Sequence, residues 1–380
     1  MDFSFNDEQL MLRDLARGIL EKEVTLKRLR EVESGADFFD RALWSTLADA
    51  GLLGVVIPED EGGTGFGLLE LCVLLQELGR VVAPVPLLPT LLLGALPIVE
   101  FGTEAQKKAW LGPVAAGQRV LTTALVDAHS SDPENPATRA RKDGQAWVLE
   151  GRKRFVHSAH LAERILVPAT IAEAEGSAIF LVEPQAPGVM LSRQRTSSGE
   201  PLLELELSGV RVEASEVLGG DTRGGGQIAR WLYERALVGI CATQIGVSER
   251  ALEITSGYVS QREQFGVPIG SFQAVQHRAA DGYIDLESLR WVTWRAAWKL
   301  SRGLSAKRET AVAKFWAAEA GSRIANTVQH LHAGLGVDLD YPIHRYFLWS
   351  KQLELSLGGA TPQLARLGRD MAQTGPQELV

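Results

Sequence analysis

The hydrophobic period of this chain runs helical, then alternating, then helical again, and strands and helices never take turns. That order argues against a parallel α/β sheet and for separate helical and β layers. From Asn6 onward Leu10, Leu12, Leu15, Ala16, Ile19 and Leu20 recur at helical spacing behind an Asn6-x-x-Gln9 capping box. Further helices are expected over about residues 38–50, stopped by Gly51, over 68–79 and over about 104–116. Between them, residues 54–63 read as a short extended run closing in a glycine turn. From about Val120 to Leu218 the runs are short and alternate, with an Asp143-Gly144 turn before 146–151 and further runs at 178–182, 188–191 and 203–212. Long helical segments return near 228–260, 273–301, 309–332 and 341–357. The expected class is α+β multidomain: an N-terminal helical domain (1–118), a central β-barrel or sandwich domain (119–224) and a C-terminal four-helix bundle (225–380).

Charge narrows the partners. Lys and Arg total 39 against 47 Asp and Glu, a net of −8, whereas a general nucleic-acid binder needs a basic face. A local basic pocket for one phosphorylated ligand stays open. Cys72 and Cys241 sit in apolar sequence without metal-like spacing and read as core thiols in a reducing compartment. The opening Met1-Asp2-Phe3-Ser4-Phe5-Asn6-Asp7-Glu8 lacks the basic start of a secretory signal. Residues 81–99 are long and apolar, but Pro84, Pro86, Pro89 and Pro97 interrupt them, so no membrane partner is expected. A cytoplasmic globular enzyme is the expectation.

Several local signals point away from common chemistries. Gly219-Gly220-Asp221-Thr222-Arg223-Gly224-Gly225-Gly226 lies between a strand and a helix yet matches neither phosphate-loop order, and reads as a flexible interdomain linker. His330 and His332, two apart on a helix, face different ways, and no metal site is expected. Gly-x-Ser-x-Gly is absent. Glu234 stands out because Val238, Cys241, Ile245 and Leu252 fall in one sector with it on a long helix. Such a carboxylate is either wetted and paired with Arg230 or Arg235, or partly desolvated and suited to a general base. Arg262-Glu263-Gln264-Phe265-Gly266, with Pro268-Ile269 and Ser271-Phe272-Gln273, closes that helix. It is either an ordinary corner or a place to hold a phosphate and an adenine together.

Five segments in order resemble the acyl-CoA dehydrogenase family of flavoenzymes. At the front these are Leu43-Trp44 through Gly51-Leu52-Leu53-Gly54 and Pro58-Glu59-x-x-Gly62-Gly63-x-Gly65. In the middle stands Asp143-Gly144-x-x-Trp147-x-Leu149-x-Gly151-x-Lys153-x-Phe155-Val156, then Val210-Arg211-Val212 with Val217-Leu218-Gly219. Toward the end come the Arg262-to-Gln273 segment and His332-Ala333-Gly334-Leu335-Gly336. The resemblance implies FAD as cofactor, with Leu125, Phe155, Val156 and His157 at the flavin ring. It places Arg262, Phe265 and Gln273 on the ADP half across a subunit interface, and His330, Ala333 and Gly334 on a segment that approaches the same cofactor. It also implies acyl-CoA as substrate, with Ser131 and Arg235 near the thioester or CoA chain.

Two departures shape the functional reading. The family's flavin stretch Thr-Glu-Pro-Gly-x-Gly-Ser-Asp stands here as Leu125-Val126-Asp127-Ala128-His129-Ser130-Ser131-Asp132. The usual catalytic Glu near the C-terminus is replaced by Gly358, in Leu357-Gly358-Gly359-Ala360-Thr361. A smaller group of members carries its base at the position of Glu234, and the tail around Asp338-x-Asp340-x-Pro342-x-His344-Arg345-Tyr346-Phe347 looks most like members acting on sterol side-chain thioesters. The expected activity is α,β-desaturation of an acyl-CoA in lipid metabolism, with Glu234 as base. Electrons would pass to an electron-transfer flavoprotein, and the assembly would be a homodimer or tetramer, or a heteromer with a sister chain. Two alternatives are a non-catalytic subunit completing a partner's flavin site, and an oxidase or monooxygenase on the same fold.

Overall fold

The computed structural model describes residues 4–128, 130, 132–172, 176–220 and 222–375. Six α-helices come first: α1 (Asp7–Glu23), α2 (Leu26–Glu33), α3 (Arg41–Asp49), α4 (Leu68–Val81), α5 (Leu96–Phe101) and α6 (Glu104–Ala115). Eight strands follow: β1 (Leu121–Thr123), β2 (Val126–Asp127), β3 (Arg139–Asp143), β4 (Ala146–His157), β5 (Arg164–Ile171), β6 (Ser177–Val182), β7 (Val189–Gln194) and β8 (Leu202–Glu213). The last part holds α7 (Gly225–Gln261), a hairpin of β9 (Glu263–Gln264) and β10 (Val267–Pro268), then α8 (Gln273–Ser301), α9 (Lys307–His332), α10 (Ile343–Leu355) and α11 (Ala360–Thr374). This is the expected succession of helical, β and helical parts. α1 starts at Asn6 through the full capping box, its side chain accepting from the Gln9 amide at 2.8 Å and Gln9 returning the bond.

The chain gathers into two compact units. One comprises the N-terminal stretch through Leu29, Cys72–Ala83 and the chain from Leu237 onward. Here α4 and α7 approach backbone to backbone, because any side chain at Gly79 would meet the Thr243 carbonyl and any at Gly246 the Gln76 carbonyl. Arg80, at their junction, pairs with Glu249 (2.7 Å) and Glu253 (2.9 Å), and Tyr346 donates to the Arg80 carbonyl at 2.7 Å. α9 threads through α8, α10 and α11 on an alanine-rich face, including the buried Ala313, Ala317, Ala320 and Ala325. Its Lys314, fully buried, donates to the carbonyls of Leu353 (3.1 Å) and Glu354 (2.9 Å) and so caps the end of α10.

The other unit holds residues 30–71 and 84–236. Its sheet runs β1-β5-β3-β4-β8-β7, with β2 added on β4 and β6 on β5. The long antiparallel pair β4–β8 carries register shifts after Leu149 and after Lys153, and such bulges bend a strand and re-aim its side chains. Inside, Lys153 and Asp127 form a fully buried ion pair at 2.7 Å, and Asp127 also accepts from the Thr138 amide and hydroxyl. Burial pulls the Lys153 ammonium down to about 8 against the support of Asp127.

Four local expectations are corrected: the extended run at 54–63, the start of α3, the glycine linker and the number of helices in the last bundle. Residues 54–63 form no strand but single 3-10 turns at Leu52–Gly54 and Glu59–Glu61, because their amides bond locally, Ile57 to Gly54 and Gly65 to Ile57. The helix expected from residue 38 starts at Arg41, where the Asp40 carboxylate accepts the Leu43 amide at 2.9 Å. The proline-rich stretch is helical: Pro89 and Pro97 lie in the first turns of a π-helical run Leu88–Ala95 and of α5, where a missing N–H goes unfelt. The glycines leading into α7 are no flexible linker throughout, since side chains at Gly225 or Gly226 would strike the backbone of Ser177 and Glu134. The last bundle also contains a fifth helix, α11, beyond the four expected.

Candidate active site

The first turns of α7 gather charge. Gly226 has no side chain because a Cβ there would sit 2.7 Å from the Glu134 carbonyl. The loop carrying Glu134 is itself ordered by Asp132, which accepts from the Glu134 amide (3.0 Å) and the Asn135 side chain (2.8 Å). One turn further along α7, Arg230 reaches back to Glu134 through Nη1 (3.4 Å) and forward to Glu234 Oε1 through Nε (3.3 Å). The Glu234 side chain is only 12% exposed, against 36% for Arg230 and 43% for Glu134. Of the two partners considered for Glu234, the hydrogen bond goes to Arg230, the residue at i−4.

Arg235 takes a different role. Its guanidinium lies over the Trp231 ring at 3.8 Å and donates to the Trp231 carbonyl at 3.1 Å. Burial pulls it down to about 10, partly offset by Glu234 and Glu100, so it stays charged at neutral pH.

In the same unit, Leu125 is buried just before β2, whose Val126 pairs with Arg154 of β4. The neighbouring Phe155 falls in the register shift of β4, adopts φ +56° and turns its ring outward, 51% exposed. A large ring held in that backbone region at a bulge offers an apolar face to a ligand. Val156 is buried, and His157 Nδ1 is 3.2 Å from Glu200 Oε1. That nitrogen therefore serves the protein, and only Nε2 is left for a ring. Ser131 lies outside the described residues.

The other unit carries the second set. Phe265 sits at the tip of the β9–β10 hairpin at φ +56°, followed by Gly266 at +77°, and is 94% exposed. Its ring meets Phe272 edge-on at 6.3 Å, and Arg262 and Gln273 flank the hairpin, both exposed. His330 is exposed and His332 buried, as their spacing predicted. His332 stacks on Tyr258 of α7 at 4.6 Å, approaches the Val328 carbonyl through Nδ1 (2.8 Å) and the Tyr341 hydroxyl through Nε2 (3.2 Å). Burial holds it below the ordinary histidine range. This stack ties Ala333 and Gly334 to the end of α7. Ala333 takes φ +50°, ψ −131°, a conformation suited to glycine, and among the described residues nothing lies within 4 Å of where a Cβ at Gly334 would sit.

Two other features lie apart. A cavity of about 440 Å³ lined by Asp37, Arg41, Trp44 and His160 includes none of the nominated residues. Gly358, where a late carboxylate was sought, has φ +92° beside Leu357 at +55°. Among the described residues no group of three or more His, Cys, Asp or Glu is placed to hold a metal, and no helix is long and apolar enough to cross a membrane.

Three family models cover nearly the whole chain in the same order: acyl-CoA dehydrogenase N-terminal domain over 6–118, middle domain over 127–210 and C-terminal domain over 224–372. The chain belongs to the acyl-CoA dehydrogenase family. These are FAD-dependent oxidoreductases acting on the CH–CH bond of acyl-CoA thioesters. It is 40% identical to acyl-CoA dehydrogenase FadE27 of Mycobacterium tuberculosis over 98% of this chain and 100% of that one. Among solved structures it resembles the ChsE4-ChsE5 complex of M. tuberculosis (TM-score 0.93, 40% identity, 99% and 100% of the two chains). It also resembles a variant of the Tcur3481-Tcur3483 steroid ACAD (TM-score 0.89, 44% identity, 97% and 98%).

The residues present suit that cofactor. The outward ring of Phe155, on the strand that pairs with the residue after the buried Leu125, would suit a flat flavin. An exposed guanidinium at Arg262, the exposed Phe265 ring and the open backbone at Gly334 would suit a diphosphate and an adenine. Sequence reasoning did not find Glu134, which is distant in the chain and meets Arg230 only through the fold. Arg230 was legible from its i,i+4 spacing to Glu234.

Proposed function

We propose that this chain desaturates an acyl-CoA to its trans-2-enoyl-CoA with Glu234 as the base. One observation carries the reading: a mostly buried carboxylate on α7, held at one oxygen by Arg230, in a chain whose late position is a left-handed glycine, Gly358. The base must take the α-proton of the thioester, and Oε2, opposite the oxygen held by Arg230, is the atom for it. Bound FAD would supply the acceptor for the β-hydride at N5. Arg235, charged and braced on Trp231, would orient the thioester or CoA chain, and Phe155 would exclude water from one face of the ring.

A sister chain is part of this proposal. Both solved neighbours above are named as two-component assemblies, and one as a steroid ACAD, so a bulky, steroid-like acyl group and a heteromer are the favoured substrate class and state. An electron-transfer flavoprotein is the proposed acceptor. If this chain instead only completes a partner's flavin site, it would bind FAD without needing Glu234. Anaerobic mixing of the flavin-loaded protein with steroid side-chain and straight-chain acyl-CoAs tests the reading. Bleaching of the flavin band by the steroid thioesters supports it, and no bleaching by any thioester, with or without a sister chain, overturns it.

A further inference from the structure

Resting on Glu234 as base, we propose that Arg230 is a positioning residue: it clamps one oxygen of the Glu234 carboxylate and is itself anchored by Glu134. The two contacts of Arg230 are on different nitrogens, Nε to Glu234 (3.3 Å) and Nη1 to Glu134 (3.4 Å), so the guanidinium spans the two acids. Each end is fixed independently. Glu134 is seated by the Asp132 turn and by the glycine at 226 that admits its carbonyl. Glu234 is fixed by the helix it shares with Arg230, at the i,i+4 spacing that brings such side chains together.

The geometry has a chemical consequence. A free Glu side chain samples several rotamers, and a base displaced by about 1 Å loses on the order of a hundredfold in rate. Engagement at Oε1 restricts the rotamer and leaves Oε2 outside that hydrogen bond. The clamp is also polar and partly exposed, which allows the carboxyl to become neutral after taking the proton without stranding a buried cation. The Arg230 side chain is more than a third exposed, so its replacement opens no closed core cavity.

The test separates proton transfer from hydride transfer. A 3-thiaacyl-CoA has sulfur in place of the β-carbon, so it cannot be desaturated, and loss of deuterium from its α-carbon in flavin-loaded protein reports the base alone. The sister chain is included if flavin loading requires it. Arg230→Ala is expected to slow this exchange tenfold or more with analogue affinity within twofold. Arg230→Lys should stay within threefold of the parent, and millimolar guanidinium should restore much of the Ala variant's rate. Arg230→Gln substitutes for Ala should that variant not fold. Glu234→Gln is the reference. Exchange at the parental rate in Glu234→Gln overturns both the base and the clamp. Lost exchange in Glu234→Gln together with parental exchange in Arg230→Ala overturns the clamp alone. A fall in affinity that accounts for the slower exchange also overturns it, since a positioning role leaves binding intact.

Discussion

Gly358 decides whether a late carboxylate is within reach of this sequence, and its backbone gives a measurable answer. At φ +92° the residue lies where L side chains are strained, and an added Cβ would sit 3.2 Å from Pro362 Cβ and 3.5 Å from Gln363 Nε2. The conformational cost for a non-glycine residue there is about 1–2 kcal/mol, with the close carbons adding to it. Gly358→Ala should therefore lower the unfolding free energy by about that amount, or roughly 0.3–0.7 M in urea midpoint for an m-value of about 3 kcal/mol per M. Gly358→Glu should cost at least as much. Gly368 is the internal control: it lies within α11, and an added Cβ there would meet nothing within 4 Å among the described residues, so Gly368→Ala should stabilise by about 0.5–1 kcal/mol. Opposite signs for the two alanines, measured by urea unfolding followed by tryptophan fluorescence, are the expected result. A Gly358→Ala variant as stable as the parent would refute the strained turn and leave a late Glu accessible by one substitution.

Asp127→Ala strands the buried Lys153 ammonium and should destabilise by about 3–5 kcal/mol in thermal or urea unfolding, whereas adding Lys153→Met should recover most of the loss. Burial lowers Lys314 to about 8 from an ordinary 10.5, so between those pH values the unfolded chain binds the extra proton. Its contribution to stability is therefore smallest below pH 8 and grows as pH rises to 10.5. The stability of the parent relative to Lys314→Met should rise across that window by on the order of 3 kcal/mol. Ala333→Gly relieves a backbone at φ +50°, ψ −131° and should raise the urea midpoint by the equivalent of about 1 kcal/mol.

Hydrophobic period sufficed for the layers because the long elements bury regular faces: alternation along β8 and the helical stripes of α8 and α9 survive folding. It failed where burial is complete or the chain is irregular. The stretch at 89–98 is buried all round, so no face distinguishes strand, span or helix, and its prolines act as helix starts only in context. α11 presents a thin apolar stripe, Leu364, Leu367 and Met371, with Pro362 in its first turn. The glycines at 225 and 226 looked like flexibility, yet their neighbours lie far away in sequence. At the candidate site, Glu234 and Arg230 share one helix and were readable as a pair. The cofactor residues came from resemblance alone, since an exposed Phe265 or a positive-φ Phe155 leaves no periodic trace. Glu134 needed the fold.

The proposed base is tested most directly by rapid anaerobic mixing of an acyl-CoA with the flavin-loaded protein and its Glu234→Gln variant, following the flavin band in a single turnover. The account predicts an unaltered oxidised flavin spectrum in the variant, retained thioester binding and reduction slowed by roughly a thousandfold or more, as loss of a positioned base requires. Reduction at the parental rate in Glu234→Gln would contradict it and assign the proton to another residue or to a sister chain.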